Sequence, residues 1–184
     1  MSSWIFRLHA AANGLKSTER RGWRLRGVKD PESVADHSLA LAVLSLAVAA
    51  ARGLDPGKAA VIAVLHDIAE AYTGDLTPEE KDLMGDEKLS EIEDGALEKM
   101  LEGAPPAVRE LVKEAVREYR SGSSPEAMLV RDLDKLEMAL TAHEYRDQLG
   151  PEGVMEFLDS AARSVCDGEV SELIGGLVRG TNRS

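Results

Sequence analysis

Apolar and polar residues recur at the three- and four-residue spacing of a helix along nearly the whole chain, and no run alternates β-branched with polar residues as a half-buried strand does. The pattern predicts an all-α fold. A first helix is expected at about 2–16, followed by an irregular loop rich in Arg and Gly that reaches Lys29. A second begins near Asp30-Pro31-Glu32-Ser33, capped either by Asp30 ahead of Pro31 or by Ser33 ahead of Asp36, and ends at Arg52-Gly53. Its apolar stretch from Leu39 to Ala51, broken only by Ser45, is too short for a membrane span and reads as a buried helix. A third opens at Asp55-Pro56, runs through His66 and Asp67, and stops near Thr73-Gly74-Asp75.

Shorter helices follow at about 77–84, 87–102 and 106–120, separated by Gly-rich or Pro-Pro breaks. Ser123-Ser124-Pro125-Glu126 then opens a long helix to about Gln148, whose Leu129, Leu133, Leu136 and Leu140 mark a core-facing stripe. Segments at about 151–166 and 168–179 complete a helical bundle. No internal repeat and no long linker divides the chain, so residues 1–180 read as a single domain, with 181–184 an expected disordered tail.

Composition narrows the partners. A formal charge of −11 on 184 residues disfavours nucleic-acid polymers, whose binding rests on Lys and Arg at phosphates, and two Trp, three Tyr and two Phe offer no stacking platform. Lys16, Arg20, Arg21, Arg24, Arg26 and Lys29 are the local exception, read either as a phosphate-attracting lip or as a solvated loop. The N-terminal Trp4-Ile5-Phe6 segment, carrying Arg7 and His9, lacks the long apolar region of a secretory signal, and no membrane association is expected. Cys166 is the single cysteine, which excludes an intramolecular disulfide and a thiolate cage and agrees with a reducing, cytoplasmic setting.

The chemistry concentrates in Ala63-Val64-Leu65-His66-Asp67-Ile68-Ala69-Glu70. Helical spacing crowds His66, Asp67 and Glu70 onto one flank of an apolar helix, a costly arrangement unless a divalent cation satisfies the groups together. His37, near the start of the second helix, would be a plain core histidine if it stood alone. His9 and His143 have no carboxylate at a ligand spacing. Asp132 and Asp134 both flank the stripe centred on Leu133 and Leu136, and periodicity does not decide between them.

Taken together, Glu32-Ser33-Val34-Ala35-Asp36-His37-Ser38, then His66-Asp67-Ile68-Ala69-Glu70, then Thr73-Gly74-Asp75-Leu76-Thr77-Pro78, and Asp134 within Val130-Arg131-Asp132-Leu133-Asp134, resemble the HD-domain metal phosphohydrolases. More narrowly they resemble the 5'-deoxynucleotidase branch. The resemblance spans Leu15-Lys16 to Glu144-Tyr145. It implies that His37, His66, Asp67 and Asp134, rather than Asp132, hold one divalent ion of the Mn, Co, Fe, Ni, Zn or Mg class, leaving open positions for water and a phosphate oxygen. It makes Glu70 and Asp75 the catalytic acids. An Arg and a Trp of the first loop would meet phosphate and sugar. Trp23 matches the Trp; Gly22 stands where some relatives carry the Arg, so Arg20 or Arg21 supplies the cation. Trp23 would pack on the ribose and disfavour a 2'-hydroxyl, or else merely staple the loop, and Leu76, Thr77 and Pro78 would form another wall.

The implied activity is release of the 5'-phosphate from deoxynucleoside monophosphates, by a homodimer as is common in the family. The same site would suit an HD-type nucleoside triphosphate phosphohydrolase or cyclic-dinucleotide phosphodiesterase, although the few histidines argue against a His-rich two-metal centre. A non-catalytic nucleotide-sensing bundle with a structural metal is the third reading, for which Glu70 and Asp75 would be superfluous.

Overall fold

The structure, a computed structural model, describes residues 3–181. Eleven helices follow in chain order among them: α1 (Ser3–Leu15), α2 (Arg21–Leu25), α3 (Val34–Ala51), α4 (Pro56–Leu65), α5 (Glu70–Thr73), α6 (Pro78–Met84), α7 (Asp86–Met100), α8 (Pro106–Ser121), α9 (Pro125–Glu144), α10 (Arg146–Ser164) and α11 (Gly168–Thr181). No strand occurs in the described residues beyond an isolated antiparallel bridge between Glu19 and Ser33. The all-α expectation holds. The expected disordered tail lies almost wholly outside the described residues; Thr181 itself ends α11.

Several boundaries are set by side chains. Ser33, not Asp30, caps α3: its hydroxyl accepts from the Asp36 N–H at 3.2 Å while the Asp36 carboxylate takes the Ser33 N–H at 2.9 Å, a reciprocal capping box. Asp55 and Ser124 cap α4 and α9, each with Pro at the first helical position, where a missing N–H removes nothing. The long helix expected to reach Gln148 stops at Glu144; a short first stretch of α10 from Arg146 follows, and the helix expected at about 151 is its main part, beyond Gly150. Gly150 kinks it at φ 67°, ψ 170°, a conformation that Gly adopts without steric cost.

α9 is the axis of the main core. Leu129, Val130, Leu133 and Leu136 pack with Leu41 of α3, Ile62 of α4, Leu158 of α10 and Ile174 of α11. Burial of each such side chain stabilises the fold by about 1.5–3 kcal/mol. Because neighbours surround α9, Asp132, Asp134 and Glu137 are buried as well, and Leu140 is more exposed than its place in the stripe predicts. A second cluster joins α1, α7 and α8 through Leu15, Leu97, Met100 and Val112.

α3 departs from expectation. It is long and apolar enough to cross a membrane by composition alone, yet it packs on α4 and α9 with His37, Leu41 and Ser45 inward. Its outer face leaves Leu39, Val43 and Leu46 more than half exposed, so it is not buried all round.

Candidate metal centre and active-site cleft

The third expected helix breaks where the chemistry lies. α4 ends at Leu65, and beyond it the backbone tightens to three-residue bonding: the Ile68 N–H meets the Leu65 carbonyl at 3.1 Å and the Glu70 N–H meets that of Asp67 at 3.0 Å. Three residues per turn eclipse positions i and i+3, which puts Asp67 and Glu70 on one side more closely than an α-helix would. Gly74, at φ 74°, turns the chain out of α5 and delivers Asp75 back toward that side.

His37, His66 and Asp134 offer ligand atoms within 4.8 Å of one another, all three residues buried. Each imidazole has its Nδ1 committed. That of His66 donates to the Ala63 carbonyl at 2.7 Å, and that of His37 donates to Glu137 at 2.6 Å. Both Nε2 atoms are thereby the ones left to face the centre, buried and without an aligned hydrogen-bond partner, and each is a lone pair in the neutral ring that a metal ion requires. His37 Nε2 stands 3.2 Å from Asp134 Oδ1, and His66 Nε2 stands 2.9 Å from Asp67 Oδ2. Lone pairs facing carboxylates at such distances repel unless positive charge lies between them. One divalent cation meets that demand, and a His, His, Asp donor set with a neighbouring second Asp suits the ions that accept nitrogen and oxygen together.

The electrostatics agree. Burial and the Arg20 charge oppose a proton on His37, yet the Asp134 and Glu137 carboxylates outweigh them and raise its pKa to about 9, so that without an ion a proton supplies the positive charge those carboxylates demand. Burial likewise opposes ionisation of Asp67, but His66 and Arg20 hold its pKa below the usual range. Asp134 is held well below it, against burial, by Lys135 and His37. Its Oδ2 accepts from Tyr119 at 2.9 Å and from Lys135 at 2.7 Å, so Oδ1 is the oxygen that faces the histidines. Asp132, by contrast, accepts the N–H groups of Cys166 and Asp167 at 3.0 and 2.9 Å and fastens the chain between α10 and α11.

Glu70 is the outlier among the acids. Only 5% exposed, with Oε2 unpartnered, its pKa is pushed well above the carboxylate range by burial and by the charges of Asp67 and Asp75. Lys81 Nζ stands 3.7 Å from its Oε1. A raised carboxyl pKa in a cleft is a mark of proton-transfer sites.

The cleft beside this group encloses about 370 Å³, within the range of small-ligand pockets, and Arg20, Asp67, Asp75, Lys81 and Asp134 line its inner wall. Leu76, Thr77 and Pro78 line it as expected, although the Thr77 hydroxyl is engaged in capping α6. The loop of Arg20 and Trp23, expected to be irregular, contains α2 and is pinned at its base: the Arg20 N–H meets the Glu32 carbonyl at 3.1 Å and the Val34 N–H meets that of Thr18 at 2.8 Å. The two arginines part company. Arg20 turns inward, 3.7 Å from Asp67, 3.9 Å from Asp75 and 4.0 Å from Glu32, all beyond hydrogen-bond length, so its donors are unspent. Arg21 turns outward to Glu80 at 2.8 Å, and only its backbone N–H reaches Asp75, at 2.5 Å. Trp23 touches the cleft but is 2% exposed. Its ring lies 4.1 Å from that of Phe157 and 5.4 Å from that of Tyr145, and its Nε1–H donates to Glu32 at 2.9 Å.

Glu137, Tyr119 and Lys81 are the members that sequence reasoning did not find, whereas Lys135, beside Asp134 in sequence, is an ion-pair partner that adjacency alone suggests. Glu137 had a signal, being an acid one turn beyond Asp134 inside the leucine stripe; Tyr119 and Lys81 come from other helices and had none.

An all-helical bundle that gathers two buried histidines and paired acids beside a cleft lined by both basic and acidic side chains defines a class of metal-dependent hydrolase. Comparison with known proteins agrees: residues 12–166 match the HD domain family. The chain is 34% identical over 171 residues to the mouse 5'-deoxynucleotidase HDDC2, covering 92% of this chain and 84% of that protein, and 34% identical over 164 residues to the human one, covering 89% and 79%. The crystal structure of PH0347 from Pyrococcus horikoshii OT3, 32% identical, superposes over 100% of this chain and 99% of that one with a TM-score of 0.70. The chain belongs to the HD-domain family of phosphohydrolases.

Proposed function

We propose that this protein hydrolyses the 5'-phosphate of deoxynucleoside monophosphates, giving deoxynucleoside and inorganic phosphate. The observation that carries the reading is the grouping of ligand atoms from His37, His66 and Asp134 within 4.8 Å of one another, with Asp134 and the neighbouring Asp67 also lining the cleft that holds the Arg20 guanidinium. The names of the 34%-identical relatives support the substrate class.

His37, His66, Asp67 and Asp134 would hold the divalent ion, which when bound supplies Lewis acidity toward a phosphate oxygen and lowers the pKa of water. Arg20, whose planar fork matches two phosphate oxygens, holds the phosphoryl group. Glu70 takes the proton of the attacking water as its oxygen bonds to phosphorus. The P–O5' bond breaks, the departing 5'-oxygen takes a proton that Asp75 passes on from solvent, and Glu70 returns the proton it gained to solvent. Trp23, packed on Phe157, shapes the wall beside the sugar and does more as a brace for the loop than as an exposed platform. Residues 1–180 act as one catalytic domain in this reading, and a homodimer is its expected assembly.

The test is phosphate release from dAMP, dGMP, dCMP, TMP, AMP, dATP and a cyclic dinucleotide, using metal-stripped protein resupplied with Mn²⁺, Co²⁺ or Mg²⁺. Release confined to the deoxy-monophosphates is expected; release confined to dATP or the cyclic dinucleotide moves the chain to another branch, and silence throughout defeats hydrolysis. On the preferred substrate, Arg20→Ala should lower kcat/KM by about 10–100-fold, the scale of a charge-assisted contact, with Lys a poor replacement. Arg21→Ala, which only frees Glu80, should leave kcat/KM within about three-fold; equal losses would undo the assignment of the two arginines.

A further inference from the structure

Glu137 is the most deeply placed acid that the proposed mechanism does not use. It is 4% exposed, lies on α9 one turn beyond Asp134, and spends both oxygens: Oε2 on the His37 Nδ1–H at 2.6 Å, and Oε1 on the Thr141 hydroxyl at 3.1 Å. The two hydrogen bonds fix the carboxylate in a plane that the His37 ring must follow. His37 itself is fully buried and points from α3 across to α9, so no water is available to choose its tautomer. With Nδ1 held by Glu137, Nε2 is the nitrogen left to meet an ion, and it faces Asp134 Oδ1 and the His66 ligand nitrogen.

We infer that Glu137 is a positioning residue of the metal centre: it sets the tautomer and tilt of His37 and strengthens that nitrogen as a donor to a divalent cation. Carboxylate partners of this kind orient metal-bound imidazoles, and their loss commonly weakens metal affinity 10–100-fold. His66 reaches the same tautomer through a backbone carbonyl, which a substitution cannot remove, so His37 is the ligand whose orientation rests on a side chain. Thr141 belongs to the arrangement as the group that holds Glu137 itself. Glu32, grouped with His37 and Glu137 on the loop side, closes off that flank, where its carboxylate serves Trp23.

The inference rests on the metal-dependent reading above, and the test separates the two. Cobalt(II) alone is titrated into metal-stripped wild-type protein, Glu137→Gln and Glu137→Met, following the visible absorption of the bound ion, with thermal melting of each stripped protein alongside. Wild type is expected to bind; Gln, which keeps an oxygen acceptor but loses the charge, should bind about 10-fold more weakly and Met about 100-fold, while saturating cobalt returns Gln to near wild-type turnover. A brace between α3 and α9 with no say in metal binding would lower the melting temperature and leave cobalt affinity alone. Unchanged affinity in both variants therefore overturns the inference and spares the metal site, whereas wild-type protein that takes up no cobalt overturns both. If Glu137→Met fails to fold, the near-isosteric Gln and Thr141→Val, which frees the Glu137 carboxylate to swing, carry the same comparison.

Discussion

In His66→Ala protein, hydrolysis of the preferred deoxynucleoside monophosphate is expected to fall by about 10³-fold or more, together with loss of the bound divalent ion. Lewis-acid assistance to phosphoryl transfer is worth several kcal/mol, and 1.4 kcal/mol is a factor of ten. His66 cannot be spared, because its Nε2 is one of two buried lone pairs that face carboxylates, and because Asp67 Oδ2, 2.9 Å away, leans on the same spot. Removing the ring leaves Asp67 and Asp134 facing a widened hole with His37 as the one remaining nitrogen ligand of the group. The measurements are metal content by elemental analysis and turnover on one preparation. Turnover that survives with metal gone would break the link between the centre and the reaction.

Glu70→Gln should separate what His66→Ala removes together. Its metal content is expected to match wild type, while kcat falls about 10²–10⁴-fold, the range of a positioned acid or base. Stability moves the other way. A carboxyl whose folded pKa is raised carries a penalty that appears once pH exceeds its unfolded value near 4.5, and at neutral pH the isosteric amide escapes it. The variant is expected to melt at or above the wild-type temperature at pH 7, with the difference vanishing below about pH 4. A stable, metal-loaded and fully active Glu70→Gln would leave Glu70 without a catalytic role.

The proposed metal ligands stood out in the chain because an acid or imidazole in an apolar helix is itself a signal, and the spacing of His37, His66-Asp67 and Asp134 carried a family resemblance; the fold brings His37, His66 and Asp134 together. Asp132 and Asp134 could not be told apart by periodicity for a reason now visible: α9 is buried on nearly every side, so both sit inside, and only their partners differ. The break after Leu65 was hidden because three-residue turns and an α-helix show the same apolar spacing over so few residues. Trp23 offered the reverse problem, since a Trp in a basic loop gives no hint that Phe157 and Tyr145, more than a hundred residues on, will enclose it. Arg20 and Arg21 are chemically alike in sequence, and only their partners draw them apart, Asp67, Asp75 and Glu32 for the one and Glu80 for the other. The outer stripe of Leu39, Val43 and Leu46 was read as core because α3 is apolar on all faces.

The bond from His37 to Glu137 joins residues 100 positions apart. Domains fold as units, N-terminal parts emerging first during synthesis, and a contact of that span is made late. A nascent chain that has released α3, α4 and α5 but not α9 holds two imidazoles and Asp67 with neither Asp134 nor Glu137 to organise them. On the proposed ligand set, the site is therefore complete only once α9 has joined the bundle and brought Asp134 and Glu137 to His37.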